Sequence, residues 1–359
     1  MSGNSKKAAL PETVVEAMVR QAGKDGRKLA ALAGAVLTAG DGERAYALAM
    51  EARRHAPDDA EVASVTARAL SSQVPKWHFR IVRDAVRNAA WEAAIVRAVG
   101  PTTRVLDIGA GTGLLGLIAA RAGAGAVVGC EMNRAVAEAA AEIVALNGYA
   151  DRVRIVPKAS GDLTEEELGG RVDLIVSEIV SNDMLAEGVL PTMEDVVPRL
   201  LAPGGRIIPS HGQVRVALAD WTGLEEARLS DVSGFDMSPF NRLEPSPHAL
   251  KVGDPRLSLR SEAADLFNFD FASGGPYPPG RATVDLSAQG GRINGVVQWI
   301  RLQLDEEGEY ENRPGEGAVS CWAARFHPLI RPVEPEAGTV LRVRGAHDRD
   351  RVRLWVELA

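Results

Sequence analysis

The chain has 359 residues, 46% of them hydrophobic, and its 41 Lys and Arg stand against 48 Asp and Glu for a formal net charge of −7. That length allows a large buried core shared among two or three domains. No apolar run reaches the roughly 20 residues of a membrane helix, and the acidic balance argues against nucleic acid while favouring a cationic partner.

Residues 1–11 are expected to be disordered, and residues 1–13 lack the basic-then-apolar pattern of a secretory signal, so cytoplasmic residence is expected. Residues 27–70 are rich in Ala and helical in period, with Leu29, Leu32, Val36 and Leu37 on one stripe and Ala45, Leu48, Ala49 and Ala52 on the next. Breaks at Gly40-Asp41-Gly42 and at residues 55–59 predict a tetratricopeptide-like helical region over 1–70, read as a cap on the next domain in preference to a peptide-binding array. Residues 77–99 form a second helical block.

From Arg104 the pattern alternates, with strands at 105–108, 126–130, 153–156 and 174–176 and helices from Leu114 and over 135–146. Such βαβ alternation predicts a parallel sheet over 71–209 with helices on both faces and a ligand at the strand carboxyl ends. Past the turn-and-strand signal at 201–209 helical patterning fades. Stretches 214–218, 282–286, 295–304, 319–326, 340–343 and 352–358 read as strands of an antiparallel β domain over 210–359. Residues 231–279, rich in Pro, Ser and Gly, read as long loops with little regular structure.

The most informative stretch is Val105-Leu106-Asp107-Ile108-Gly109-Ala110-Gly111-Thr112-Gly113, an apolar strand ending in a glycine turn. Glycine lets the backbone turn tightly and a ligand approach it. Gly111-x-Gly113-x-x-Gly116 also satisfies the dinucleotide fingerprint. Asp107, placed badly for a pyrophosphate, and Glu131, at a strand end suited to two ribose hydroxyls, tilt the choice to S-adenosylmethionine. The competing reading makes Asp107 a helix cap and Glu131 a solvated loop acid.

Glu178 follows the apolar run Leu174-Ile175-Val176, and Glu187 comes nine residues later, past Ser181-Asn182-Asp183. A loop folded back over that distance brings two carboxylates into one pocket, where they repel unless a cation lies between them. A guanidinium, with five donors in a planar fork, fits best. On spacing alone, Glu187 as a solvated acid beside Asp183, Glu194 and Asp195 is the stronger reading.

The segment from Ser177-Glu178 to Glu187-Gly188, with Pro191 and Glu194 beyond, resembles the double-glutamate loop of protein arginine methyltransferases. The glycine motif, Glu131 and the trailing β domain follow in that family's order, so the resemblance spans residues 77–359. It implies an α/β Rossmann-like class I methyltransferase domain, then an antiparallel barrel-like β domain, behind an α-helical N-terminal region. It further implies S-adenosylmethionine as cofactor, a protein substrate with an arginine-rich segment, no metal, and Glu178 and Glu187 as the clamp on the substrate guanidinium. Asp107, Gly109 and Glu131 match the family's cofactor contacts, with Gly111 and Gly113 completing the turn. His78 to Asn88 resembles a helix that folds over the cofactor, with Arg87 at the methionine carboxylate and His78 near the site. Lys158 and Ser160 fall in the loop against the adenine. Ile179-Val180-Ser181 resembles the branch without bulky aromatics after the first glutamate.

One departure is plain: Ser320-Cys321-Trp322 stands where the family has Thr-His-Trp. The usual histidine pair with Asp84 is therefore not available, and a buried thiol carries no imidazole donor. Two further readings stay open: a methyltransferase acting on lysine, a ribosomal protein or a small molecule, and a catalytically weak scaffold. Family members often dimerise through an arm in the β domain, and residues 231–279 would hold one here, giving a homodimer.

Overall fold

A computed structural model describes residues 11–357. The disorder expected of the N-terminus falls, Pro11 excepted, outside the described residues, as does Leu358. The chain divides into two compact units, Met1–Arg80 with Asn133–Ala139, and Ile81–Met132 with Ala140–Ala359.

The first unit is helical: α1 Glu12–Ala22, α2 Gly26–Thr38, α3 Gly42–His55, α4 Ala60–Ser72, and the start of α5, Trp77–Arg83. Three helices open on an aspartate whose carboxylate accepts first-turn N–H groups: Asp25 on α2, Asp41 on α3 and Asp59 on α4. Their cores are mostly small, with Ala30, Ala33, Ala45, Ala49 and Ala52 buried beside Leu29, Val36 and Val62. Small side chains let these helices approach closely. Helix α1 lies outside the periodic stretch recognised from the sequence; its buried residues are only Val15 and Ala22.

The second unit holds α6 Ala85–Ala98 and a wholly parallel sheet of β1 Arg104–Ile108, β2 Ala126–Cys130, β3 Val153–Val156, β4 Val172–Ser177 and β5 Leu201–Ile208, in the order β3-β2-β1-β4-β5. Helices α7 Leu114–Arg121, α8 Arg134–Leu146, whose opening residues belong to the first unit, and α9 Val189–Leu200 provide crossovers. Strands β1, β2 and β4 are largely apolar because both faces are covered. Strand order reverses between β1 and β4, and such a switch point opens a crevice at the carboxyl ends. Register fixes what meets there: Ile108 pairs with both Cys130 and Ser177, so Gly109, Glu131 and Glu178 leave the sheet at one level.

From β6 His211–Trp221 the architecture is antiparallel and barrel-like. β6 pairs with Ile293–Gln303, which pairs with Ala324–Val333, and a separate sheet joins Gly280–Ser287, Val340–His347 and Val352–Glu357. Two expectations need correction. The strand foreseen at 319–326 begins at Ala324 and runs to Val333, because the preceding residues form a loop whose backbone serves Asp84 and Asn182. Residues 231–279 carry more strand pairing than expected: Ala264–Asp270 pairs along β6, Leu257–Leu259 adds to the same strand, and His248–Leu250 pairs with Ala324–Val333. Neighbouring strands supply the bonds that Pro- and Gly-rich composition obscured.

Candidate active site

The glycine turn after β1 requires the backbone expected of it. Gly109, Gly111 and Gly113 have φ of 67°, 53° and 78°, a region that side-chain-bearing residues rarely adopt. At Gly109 a Cβ would also lie 2.5 Å from Ile179 Cγ2, so the loop after β4 packs directly on this turn. Glu131, 7% exposed, accepts the Gly111 N–H through Oε2 at 3.1 Å, tying the end of β2 to the same turn. Asp107 is 1% exposed, and its Oδ2 accepts the Gly116 N–H at 2.9 Å in the first turn of α7. Its carboxylate thus caps that helix from inside the sheet. Burial pushes it up to about 7, against the pull of the Gly116 N–H and the Arg87 charge.

Glu178 is the centre of the arrangement. Its Oε2 accepts Arg87 Nη2 at 2.8 Å, with side-chain exposures of 6% and 4%. Arg87 is reached through α6, whose N-cap Asp84 accepts the Arg87 N–H at 2.9 Å, and its guanidinium stacks on Trp91 at 5.1 Å. Each partner keeps one buried polar atom without a hydrogen-bond partner: Oε1 of Glu178 and Nε of Arg87. Burial lifts the Glu178 carboxyl to about 8; Arg87 opposes the shift and Glu187 adds to it. Glu187 is surface-exposed at the rim of the loop, yet crowded enough by surrounding protein and Asp183 that its carboxyl is held up at about 7.

The loop joining them is built from its own side chains. Ser181 Oγ donates to Asp183 Oδ1 at 2.5 Å and accepts the Ala186 N–H at 3.0 Å. Trp322 Nε1 donates to the Val180 carbonyl at 2.9 Å, and Asn182 Oδ1 accepts the Ala323 N–H at 2.8 Å, so the β part of the unit fixes the loop.

Where the sequence lacks the family histidine, Asp84 has other partners. Its Oδ2 accepts the backbone N–H of Cys321 at 2.7 Å and lies 3.4 Å from the Tyr310 hydroxyl, which is 2.8 Å from Ser320 Oγ. Burial pushes the Cys321 thiol and the Tyr310 hydroxyl well up, keeping both neutral. Sequence reading missed Tyr310; its only signal was an aromatic in a short strand. His327 and His347 do not compensate. His327 bonds Gln298 at 2.9 Å, and burial drives it down to about 3, while His347 packs edge-on against Phe267 and Phe269.

Two of the anticipated contacts are engaged with other residues, and a third lies in the other unit. Lys158 is exposed and ion-paired with Glu167. Ser160 opens a short 3-10 turn whose carbonyl accepts Arg199 at 3.1 Å. His78 belongs to the first unit, stacked on Trp77 with ring centroids 3.9 Å apart.

Comparison with known proteins follows the same lines. Residues 92–212 match the family model described as "Ribosomal protein L11 methyltransferase (PrmA)". The chain is 34% identical over 275 residues to the arginine N(omega)-methyltransferase of Streptomyces achromogenes subsp. streptozoticus, covering 76% of each. It is 31% identical over 252 residues to protein arginine N-methyltransferase 7 of Oryza sativa subsp. japonica, covering 64% of this chain but only 35% of that one. Among solved structures, the Trypanosoma brucei PRMT1 enzyme-prozyme heterotetrameric complex with AdoHcy aligns with TM-score 0.68 at 22% identity over 80% of this chain and 98% of that one. A PRMT6-SAH structure aligns with TM-score 0.63 at 19% identity over 79% and 99%.

Proposed function

This chain belongs to the arginine N-methyltransferase family and uses S-adenosylmethionine, and we propose on that footing that Glu178 and Glu187 grip the guanidinium of a protein arginine while a ω-nitrogen is methylated. The observation that carries this is the buried Glu178 at the carboxyl end of β4, one strand from the glycine turn, with an unsatisfied oxygen and a second acid within its electrostatic reach.

The residues present fit the cofactor. Glu131 stands at the ribose position after β2, the positive-φ glycines leave the turn bare of side chains, and Arg87 has a buried donor to spare for a carboxylate. When bound, S-adenosylmethionine supplies a methyl group on a sulfonium sulfur. The chain then has to hold a nitrogen against it. A guanidinium stays protonated, and its nitrogens attack poorly while the charge is shared evenly. Carboxylates bonded to the non-reacting nitrogens draw the charge there and leave the target nitrogen richer in electrons. Burial of Glu178 strengthens that interaction by excluding water, and positioning supplies the rest. The proton released on transfer passes to a carboxylate already raised towards neutrality, and Glu187, nearer solvent, is the better placed of the two to pass it on.

A net charge of −7 favours an acceptor embedded in an arginine-rich segment over nucleic acid. The name of the Streptomyces relative supports a second reading, the same transfer to free arginine. The exposed Phe235, Met237, Phe240 and Leu243 form an apolar arm that supports pairing of two copies. Both cysteines are free, which suits a reducing cytoplasm. The helical region 12–72 is read as tetratricopeptide-like.

The deciding test incubates the chain with methyl-labelled S-adenosylmethionine and either an arginine-rich peptide, a lysine-rich peptide or free arginine, and locates the label by mass spectrometry. Label on ω-nitrogens of peptide arginine is expected. Label on lysine, or none in any arm, would overturn the assignment; label on free arginine alone selects the second reading.

A further inference from the structure

Arg87 and Glu178 present a second relationship, distinct from the role of either residue alone. A guanidinium of the chain itself occupies the carboxylate to which the acceptor guanidinium is assigned, at 2.8 Å and with both side chains more than nine-tenths buried. We propose that Arg87 is an internal competitor of the acceptor arginine, and that the cofactor's carboxylate, by engaging Arg87, opens Glu178 and makes acceptor binding follow cofactor binding. This rests on the arginine reading above.

Two unsatisfied atoms carry the argument, one for each ligand. Nε of Arg87 is a donor with no acceptor, as are the Nε atoms of five other arginines, whereas Oε1 of Glu178 is the one carboxylate oxygen so left among the described residues, and such a buried acceptor calls for an explanation. A free carboxylate supplies what Nε lacks, and an incoming N–H supplies what Oε1 lacks. Without the cofactor, an acceptor reaching Oε1 places a second guanidinium beside Arg87, and both draw on the one Glu178 carboxylate in a site too dry to screen their repulsion. Adding one anion on the Arg87 side removes that mismatch. Asp84 and Trp91 hold the backbone and the stacked guanidinium of Arg87, so a small shift of its head group is all the exchange needs.

Thermodynamic linkage makes the coupling reciprocal and measurable without turnover. Calorimetry of an arginine-containing peptide would be run on the full chain alone, with S-adenosylhomocysteine, and with methylthioadenosine, which fills the nucleoside region but lacks the amino-acid carboxylate. At least tenfold tighter peptide binding is expected with S-adenosylhomocysteine, and little change with methylthioadenosine. In Arg87→Gln, peptide affinity of the cofactor-free chain should rise and the difference between the two nucleosides vanish. If that variant fails to fold, the wild-type comparison decides by itself. Equal peptide affinity with and without S-adenosylhomocysteine, or equal coupling by methylthioadenosine, would overturn the proposal while leaving the methylation assay intact. No peptide binding in any state would overturn both this proposal and the arginine reading.

Discussion

The backbone N–H of Cys321 donates to the Asp84 carboxylate at 2.7 Å across 237 positions of sequence, and the same carboxylate caps the helix that carries Arg87. Because the contact is made by the main chain, the side chain at 321 is dispensable for it. Cys321→Ala should keep methyl transfer within about threefold of wild type. Asp84→Ala removes a cap, about 1–2 kcal/mol, and orphans a buried N–H, about 1–3 kcal/mol. Denaturant unfolding should therefore show a loss of about 2–5 kcal/mol for Asp84→Ala. A loss under 0.5 kcal/mol, or inactivation by Cys321→Ala, would contradict this account.

Tyr310→Phe deletes a hydroxyl that bonds Ser320 at 2.8 Å and approaches Asp84 at 3.4 Å. The ring remains packed against Trp91 and Trp322. A cost of about 1 kcal/mol is expected, as for one ordinary hydrogen bond. Near-unchanged cofactor affinity in an equilibrium titration would accompany it.

Replacing Glu178 by Gln removes the anion but keeps the shape. Methyl transfer should fall by roughly 10²-fold or more, the scale of a lost electrostatic contact in a transition state. S-adenosylhomocysteine should still bind. Parallel loss of cofactor binding and activity would show that Glu178 belongs to the cofactor site instead.

Acidity should act on activity and stability in opposite senses. Glu187 and Glu178 titrate at about 7 and about 8, both above the ordinary 4.5. Since only ionised carboxylates hold a guanidinium well, kcat/KM for the acceptor should rise as pH increases through that window. For Glu178 the folded value exceeds the unfolded one, so the folded chain binds more protons. Its contribution to stability is most favourable below about 4.5, and is lost as pH rises towards about 8. The stability difference between wild type and Glu178→Gln should accordingly shift against wild type with rising pH. A flat difference across pH 5 to 9 would rule out the raised carboxyl.

Gly109→Ala tests the turn. Positive φ and a Cβ 2.5 Å from Ile179 Cγ2 both oppose alanine. About 1–2 kcal/mol of strain is expected from the left-handed backbone alone, with cofactor affinity reduced at least tenfold. Unaltered cofactor binding by calorimetry would mean that the turn does not line the ligand.

The sequence by itself determined the periodic elements and the turn that starts the site. Strand 105–108, its glycines and the strands leading to Glu131 and Glu178 were legible because a buried parallel strand must be apolar and a ligand turn must be glycine. The double-glutamate loop was suggested only by family resemblance, since spacing alone favoured a solvated Glu187, and the structure does expose that residue. Residues 231–279 hid their strands because pairing with β6 overrides poor local propensity.

Tertiary structure alone decided which charges meet. Arg87 and Glu178 stand 91 positions apart, and nothing local says that the helix arginine faces the strand-end acid. The same holds for Asp84, whose partners at 310 and 321 come from the far end of the β part. Periodicity reports which side of an element is buried. It carries no information on which buried polar groups face one another, because that depends on strand order, register and loop course across the whole fold.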